Sequence, residues 1–201
     1  MFIQTFMDFY KLNIRNITEA QIDIIRNRFP KRYWKAMNFR LHDDFLRCIG
    51  AYILLRQAFP FIDEKKIGYT DMGKPYIEDA LCFNYSHSGE YVVLVTDDKE
   101  IGIDIEKIGN RDYKMMQRAF SEEEFKYIEE EDSVNRFLEL WTKKESVLKL
   151  FGLGINMNLN QINVLPLNES TPTAMLDENV YNKTFIEDGH IISISSFNKF
   201  E

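Results

Sequence analysis

The feature that most constrains this chain is the order in which two hydrophobic periods follow one another. Apolar residues alternate in "KEIGIDIEKI", the two-residue period of a strand, and "FIQTFMDF" and "LCFNYSHSGEYVVLVTDD" also read as strands with their turns. Elsewhere apolar residues recur at three and four residues. Phe45, Ile49, Tyr52 and Ile53 mark a helix from Asp43 or Asp44 to about Phe59, and Pro60 stops it. Phe137, Leu140, Trp141 and Leu148 mark a buried stripe on a second helix, from about Val134 to Leu150, closed by Gly152 and Gly154. Two further helices are predicted where Thr18 with Gln21 and the run "SEEE" from Ser121 have the form of capping boxes; Pro30 should end the first. "DMGKPYI" reads as turn and strand, and "QINVLPL", "TAMLD", "NKTFIED" and "HIISISSF" read as strands, with Asp188-Gly189 a hairpin turn. Strand, helices, strands therefore occurs twice. This predicts an α+β fold of two similar halves, residues 1–99 and 100–201, joined without a Pro-, Gly- or Ser-rich linker.

With 45% hydrophobic residues among 201, such a chain can bury a substantial core. No apolar run approaches the roughly 18 to 20 residues needed to cross a bilayer, and "MFIQTFMDFYK" has neither a basic start nor a cleavage site. The expectation is a cytoplasmic protein that engages no membrane. Cys48 and Cys82 have no ligand-like spacing and are expected to be buried, reduced thiols. The net charge of -7 argues against wholesale nucleic-acid binding, but the charge is uneven. From Arg26 to Arg56 there are 8 basic residues and 2 acidic ones, leaving 17 basic against 30 acidic elsewhere. That run is either a solvated helical face or an anion site.

Four segments could carry chemistry. In "GIDIEKI", side chains two apart share a strand face, so Ile101, Ile103 and Ile105 can enter the core while Asp104 and Glu106 stand side by side on the other face. They are a plain polar face or one wall of an oxygen-only Mg2+ site. In "WTKKESVLKLFGLG", Glu145 and Lys149 are one turn apart at the edge of the buried stripe: a surface ion pair, or a third carboxylate with a cation able to neutralise phosphate. In "FNYSHSG", Ser86, His87 and Ser88 precede Gly89, whose freedom lets backbone approach a ligand; such a turn can hold phosphate. In "GKPY", Lys74 sits in a rigid turn.

Together and in this order, "GKPY", "FNYSHSG", "GIDIEKI" and "WTKKESVLKLFGLG" resemble the motifs of the 4'-phosphopantetheinyl transferases of the larger, surfactin-synthetase type. The resemblance covers Gly73 to Gly154 directly and implies two α+β halves related by a pseudo-twofold, with the site between them. It implies transfer of the phosphopantetheine arm of coenzyme A to a serine of an acyl or peptidyl carrier protein, with release of adenosine 3',5'-bisphosphate. It further implies that Asp104, Glu106 and Glu145 hold Mg2+ and that Lys149 contacts the pyrophosphate. Ser86, His87 and Lys74 would contact cofactor phosphates, and Lys31, Lys35 and Arg47, with Arg32 or Arg40 as substitutes, would meet the 3'-phosphate. Glu145 would accept the serine proton. Tyr85 departs from the family pattern, which more usually has an aliphatic residue there.

The resemblance also implies that the carrier contacts the stretch "NRDYKMMQRAF", with Arg111, Met115, Met116 and Phe120 as docking residues; the other reading is a basic helix whose methionines are core. A monomer is expected. The rival classes are a non-catalytic coenzyme A or nucleotide-binding protein and a metal-dependent phosphohydrolase.

Overall fold

The computed structural model describes residues 7–109, 113–154, 159–165, 170–172 and 179–200. β1 (Asp8–Asn13) is followed by three helices, α1 (Glu19–Arg28), α2 (Pro30–Met37) and α3 (His42–Ala58). The short hairpin β2 (Ile67–Tyr69) and β3 (Pro75–Ile77) comes next, then β4 (Cys82–Ser88) and β5 (Tyr91–Asp97). The order then repeats with β6 (Ile101–Lys107), α4 (Glu122–Glu130), α5 (Ser133–Phe151), β7 (Ser170–Pro172), β8 (Asn179–Glu187) and β9 (His190–Ser196). The strand orders are β1-β5-β4 and β6-β9-β8-β7, all antiparallel. In each sheet the first strand of the unit lies beside the last. The fold is α+β, built twice on one plan.

Local chemistry explains most boundaries. Thr18 with Gln21 and Ser121 with Glu124 form complete capping boxes. Pro30 not only ends the first helix but opens the next, as its first residue, where its missing N–H costs nothing. Asp188 and Gly189 both have positive φ, which a two-residue hairpin turn of matching twist requires.

β5 is buried on both faces. Val92 and Leu94 join the core under α1 to α3, while Val93 and Val95 meet Ile101, Ile103, Ile105, Ile192 and Ile194 from the second sheet. That apolar seam joins the two units. On the far face of the second sheet, α5 lies on Gly102, Ser193 and Ser195 through hydrogen bonds Thr142 Oγ1 to Ser193 Oγ at 2.7 Å and Ser146 Oγ to Ser195 Oγ at 2.7 Å.

Three sequence expectations are corrected. Residues 161–165, expected as the strand "QINVLPL", form the end of a 3-10 helix and irregular chain; Ile162 and Val164 are nonetheless buried. The strand expected at "TAMLD" lies outside the described residues. Cys48 and Cys82 are free but only half-buried, and Trp141 is half-buried rather than part of the dry stripe.

Candidate active site

The alternation of β6 does what its pattern predicts. Ile101, Ile103 and Ile105 are at most 1% exposed in the seam, and Asp104 and Glu106 face α5. Gly102 lets α5 lie almost on the strand, since a Cβ there would sit 2.0 Å from the Ser146 carbonyl oxygen. That approach carries Glu145 and Lys149 to the carboxylates of β6.

β4 supplies the opposite wall. Asp104 Oδ1 accepts from Ser86 Oγ at 2.8 Å and from Lys149 Nζ at 2.6 Å, and Lys149 also donates to Ser86 at 2.9 Å. Asp104 Oδ2 is buried and has no hydrogen-bond partner among the described residues. A carboxylate oxygen only accepts, so it suits a cation. Burial, and then the Asp104 charge, push the Glu145 carboxyl above the usual range; Lys149 opposes this and Glu106 adds to it. Three carboxylates and one ammonium thus leave an excess of negative charge in a confined space, the donor chemistry of a hard divalent cation. As the side chains stand, no three His, Cys, Asp or Glu residues among the described residues form a group that could hold one metal ion, and the Lys149 ammonium rests on Asp104.

A cavity of about 450 Å³ opens over this cluster, and Lys74, Ser86, His87, Asp104, Glu145 and Lys149 all line it. Tyr85 lines it too. His87 stands at its mouth; loss of solvation by the cavity walls, with the cations Arg47 and Lys149, holds its imidazole below the usual range. Lys74 contributes its stem, but its ammonium turns away to the Leu150 carbonyl at 2.8 Å and to Glu100, capping the end of α5.

The remaining basic residues lie outside the cavity wall. Arg47 donates to the Gly89 carbonyl at 2.7 Å and pairs with Asp44, close enough to His87 to bear on it. Lys31 and Lys35 are exposed on α2. Arg32 is half-buried, with its guanidinium 5.0 Å from the Tyr52 ring centre and 5.5 Å from that of Tyr69. Of the expected docking residues, Met115 and Met116 are 81% and 38% exposed, whereas Phe120 is buried against Phe137 and belongs to the core. Arg111 lies outside the described residues.

Sequence reasoning missed Lys144 and Asn84, and it read Ser88 as part of a phosphate turn rather than as a contact to β6. Lys144, neighbour of Glu145, is fully buried and pairs with Glu124 at 2.7 Å. Asn84 and Ser88 flank Ser86 on β4 and bind β6. Their two-residue spacing around Ser86 was the available signal.

Residues 100–195 match the 4'-phosphopantetheinyl transferase superfamily. The chain is 38% identical over 94 residues to the 4'-phosphopantetheinyl transferase gsp of Aneurinibacillus migulanus, covering 45% of this chain and 40% of that one. It is 30% identical over 145 residues to the 4'-phosphopantetheinyl transferase Sfp of Bacillus subtilis, covering 67% and 65%. It is also 30% identical over 187 residues to the L-aminoadipate-semialdehyde dehydrogenase-phosphopantetheinyl transferase of Xenopus laevis, covering 79% and 60%. The chain thus spans between 40% and 65% of the length of these relatives. Through the stretch that supplies Asp104, Glu106, Glu145 and Lys149, the chain belongs to the 4'-phosphopantetheinyl transferase superfamily.

Proposed function

We propose that this chain transfers the 4'-phosphopantetheine arm of coenzyme A to a serine of an apo acyl or peptidyl carrier protein, releasing adenosine 3',5'-bisphosphate, as a cytoplasmic monomer. The observation that carries the reading is the convergence of Ser86 and His87 from the first unit with Asp104, Glu145 and Lys149 from the second on one cavity. Phosphoryl transfer asks little covalent chemistry of a protein; it asks for position and charge.

In this reading Asp104, Glu106 and Glu145 would hold Mg2+, which when bound neutralises phosphate charge and aligns the pyrophosphate. Lys149 leaves Asp104 for the pyrophosphate oxygens. Ser86 and His87 bind phosphate at the mouth, and Arg47, Lys31 and Lys35 receive the 3'-phosphate beyond it; Lys74 must release the end of α5 to take part. The serine oxygen attacks the phosphorus that carries the pantetheine, the bond from that phosphorus to the bridging oxygen breaks, and adenosine 3',5'-bisphosphate leaves. Glu145 takes the serine proton, directly or through a water.

The test is release of adenosine 3',5'-bisphosphate from coenzyme A with and without an apo carrier. Release only with the carrier, lost in Asp104→Ala, is expected. Release without any acceptor would make the protein a phosphohydrolase, and binding without release a coenzyme A-binding protein. Glu145→Gln is expected to lower turnover about 100-fold or more at saturating Mg2+; near-normal turnover would remove its role as base.

The carrier would dock beside Met115 and Met116, exposed apolar groups next to Lys114 and Arg118. Met115→Glu should raise the carrier KM about 10-fold with coenzyme A binding unchanged. Unaltered carrier kinetics in a folded variant would dismiss this surface.

A further inference from the structure

β4 and β6 belong to different sheets, so no backbone ladder joins them. Among the described residues β6 is the edge strand of its sheet, with β9 on one side only. An exposed strand edge offers unpaired N–H groups that must find partners. Here the partners are side chains. Asn84, Ser86 and Ser88 lie two residues apart and so share one face of β4, aimed at β6. Asn84 Oδ1 accepts the Ile103 N–H at 3.2 Å, and Ser88 Oγ accepts the Lys107 N–H at 3.0 Å. The same Ser88 hydroxyl donates to Glu106 Oε2 at 2.8 Å, and Ser86 donates to Asp104 at 2.8 Å.

One hydroxyl donates once and accepts up to twice, so Ser88 can hold the Lys107 backbone and the Glu106 carboxylate together. Asn84 is only 5% exposed and its bond to Ile103 is dry, where an unmet amide is expensive. The two clamps fall on Ile103 and Lys107, one on each side of the segment bearing both carboxylates.

We propose that Asn84 and Ser88 are positioning residues: they pin the open edge of β6 on both sides of Asp104 and set the direction in which Asp104 and Glu106 face Glu145. The value of that direction for catalysis rests on the transferase reading; the pinning itself does not. A strand held only by its β9 ladder could twist about that ladder. Shifts on the order of 1 Å at a reacting centre cost about 100-fold in rate.

The test compares the parent protein with Ser88→Ala, Ser88→Thr and Asn84→Ala by amide hydrogen exchange and by titration with Mn2+ alone. Ser88 is half-buried and its truncation is small, so the alanine variant is expected to fold. In Ser88→Ala the Lys107 amide should exchange about 10-fold faster and Mn2+ should bind about 10-fold more weakly, with Ser88→Thr restoring both because it keeps the hydroxyl. In Asn84→Ala the faster amide should be Ile103. With carrier and coenzyme A, turnover should fall about 10- to 100-fold at low metal while the KM for coenzyme A holds. Unchanged exchange at Ile103 and Lys107 would overturn the clamp. Faster exchange with unchanged Mn2+ affinity would overturn its role in positioning. Should the parent transfer nothing, the transferase reading fails, while exchange and Mn2+ binding still decide the proposal.

Discussion

Lys144→Met is expected to lower stability by about 3 to 5 kcal/mol, the cost of leaving one partner of a buried pair without the other. The ammonium uses all three of its donors, on Glu124 at 2.7 Å and on the carbonyls of Leu159 at 2.9 Å and Ile162 at 2.7 Å. Both side chains are fully buried. Glu124 also accepts the N–H groups of Ser121 and Val164, so one pair ties the start of α4, the middle of α5 and the segment 159–164 together. Denaturant unfolding checks the loss. Adding Glu124→Gln should recover part of it, because the stranded carboxylate is then gone while the cap's acceptor remains. A single-variant loss below about 1 kcal/mol would mean that the site admits water.

Gly102→Ala is expected to cost about 3 kcal/mol or more and to reduce turnover by at least about 100-fold. The added methyl would lie 2.0 Å from the Ser146 carbonyl oxygen and 2.5 Å from the Leu150 nitrogen, both backbone atoms of α5. A flexible side chain could swing away; a helix backbone must lift as a whole. Lifting α5 carries Glu145 and Lys149 from Asp104 and strains the hydroxyl contacts of Thr142 and Ser146 with β9. Loss of activity should therefore accompany loss of stability. A variant with native melting and native turnover would show that α5 does not rest on β6 in this way.

How much of this was legible in the sequence depended on range. The two capping boxes, the helix of residues 42–58 and the Asp188-Gly189 turn are set by residues within a few positions of one another, and they stand as read. The alternation at β6 gave its buried face correctly. It could not say that Gly102 exists because a helix backbone presses on it, for that contact lies more than 40 positions away in the chain.

Misreadings came where tertiary contact overrides local pattern. Lys144 looks like one more solvated lysine in "WTKKES", yet a glutamate 20 residues earlier makes its burial tolerable. Phe120, read as a docking residue, stacks edge-on against Phe137 and lies 5.2 Å from the Lys144 ammonium. Residues 161–165 alternate like a strand, but the Ile162 carbonyl serves Lys144, and the buried Ile162 and Val164 side chains join the core of the second unit instead of a ladder. Of the site itself, Ser86, Asp104, Glu145 and Lys149 are brought together as the four motifs suggested, whereas Lys74 is turned aside and Lys31, Lys35 and Arg47 stand outside the cavity wall. Long basic side chains carry little local information about where their ends rest.

The most direct test is the mass of a purified apo carrier protein after incubation with this protein, coenzyme A and Mg2+, with Asp104→Ala and EDTA as controls. The account predicts a gain of one phosphopantetheine on the carrier serine, absent from both controls. An unmodified carrier across acyl and peptidyl classes, with the protein folded and coenzyme A bound, would contradict it.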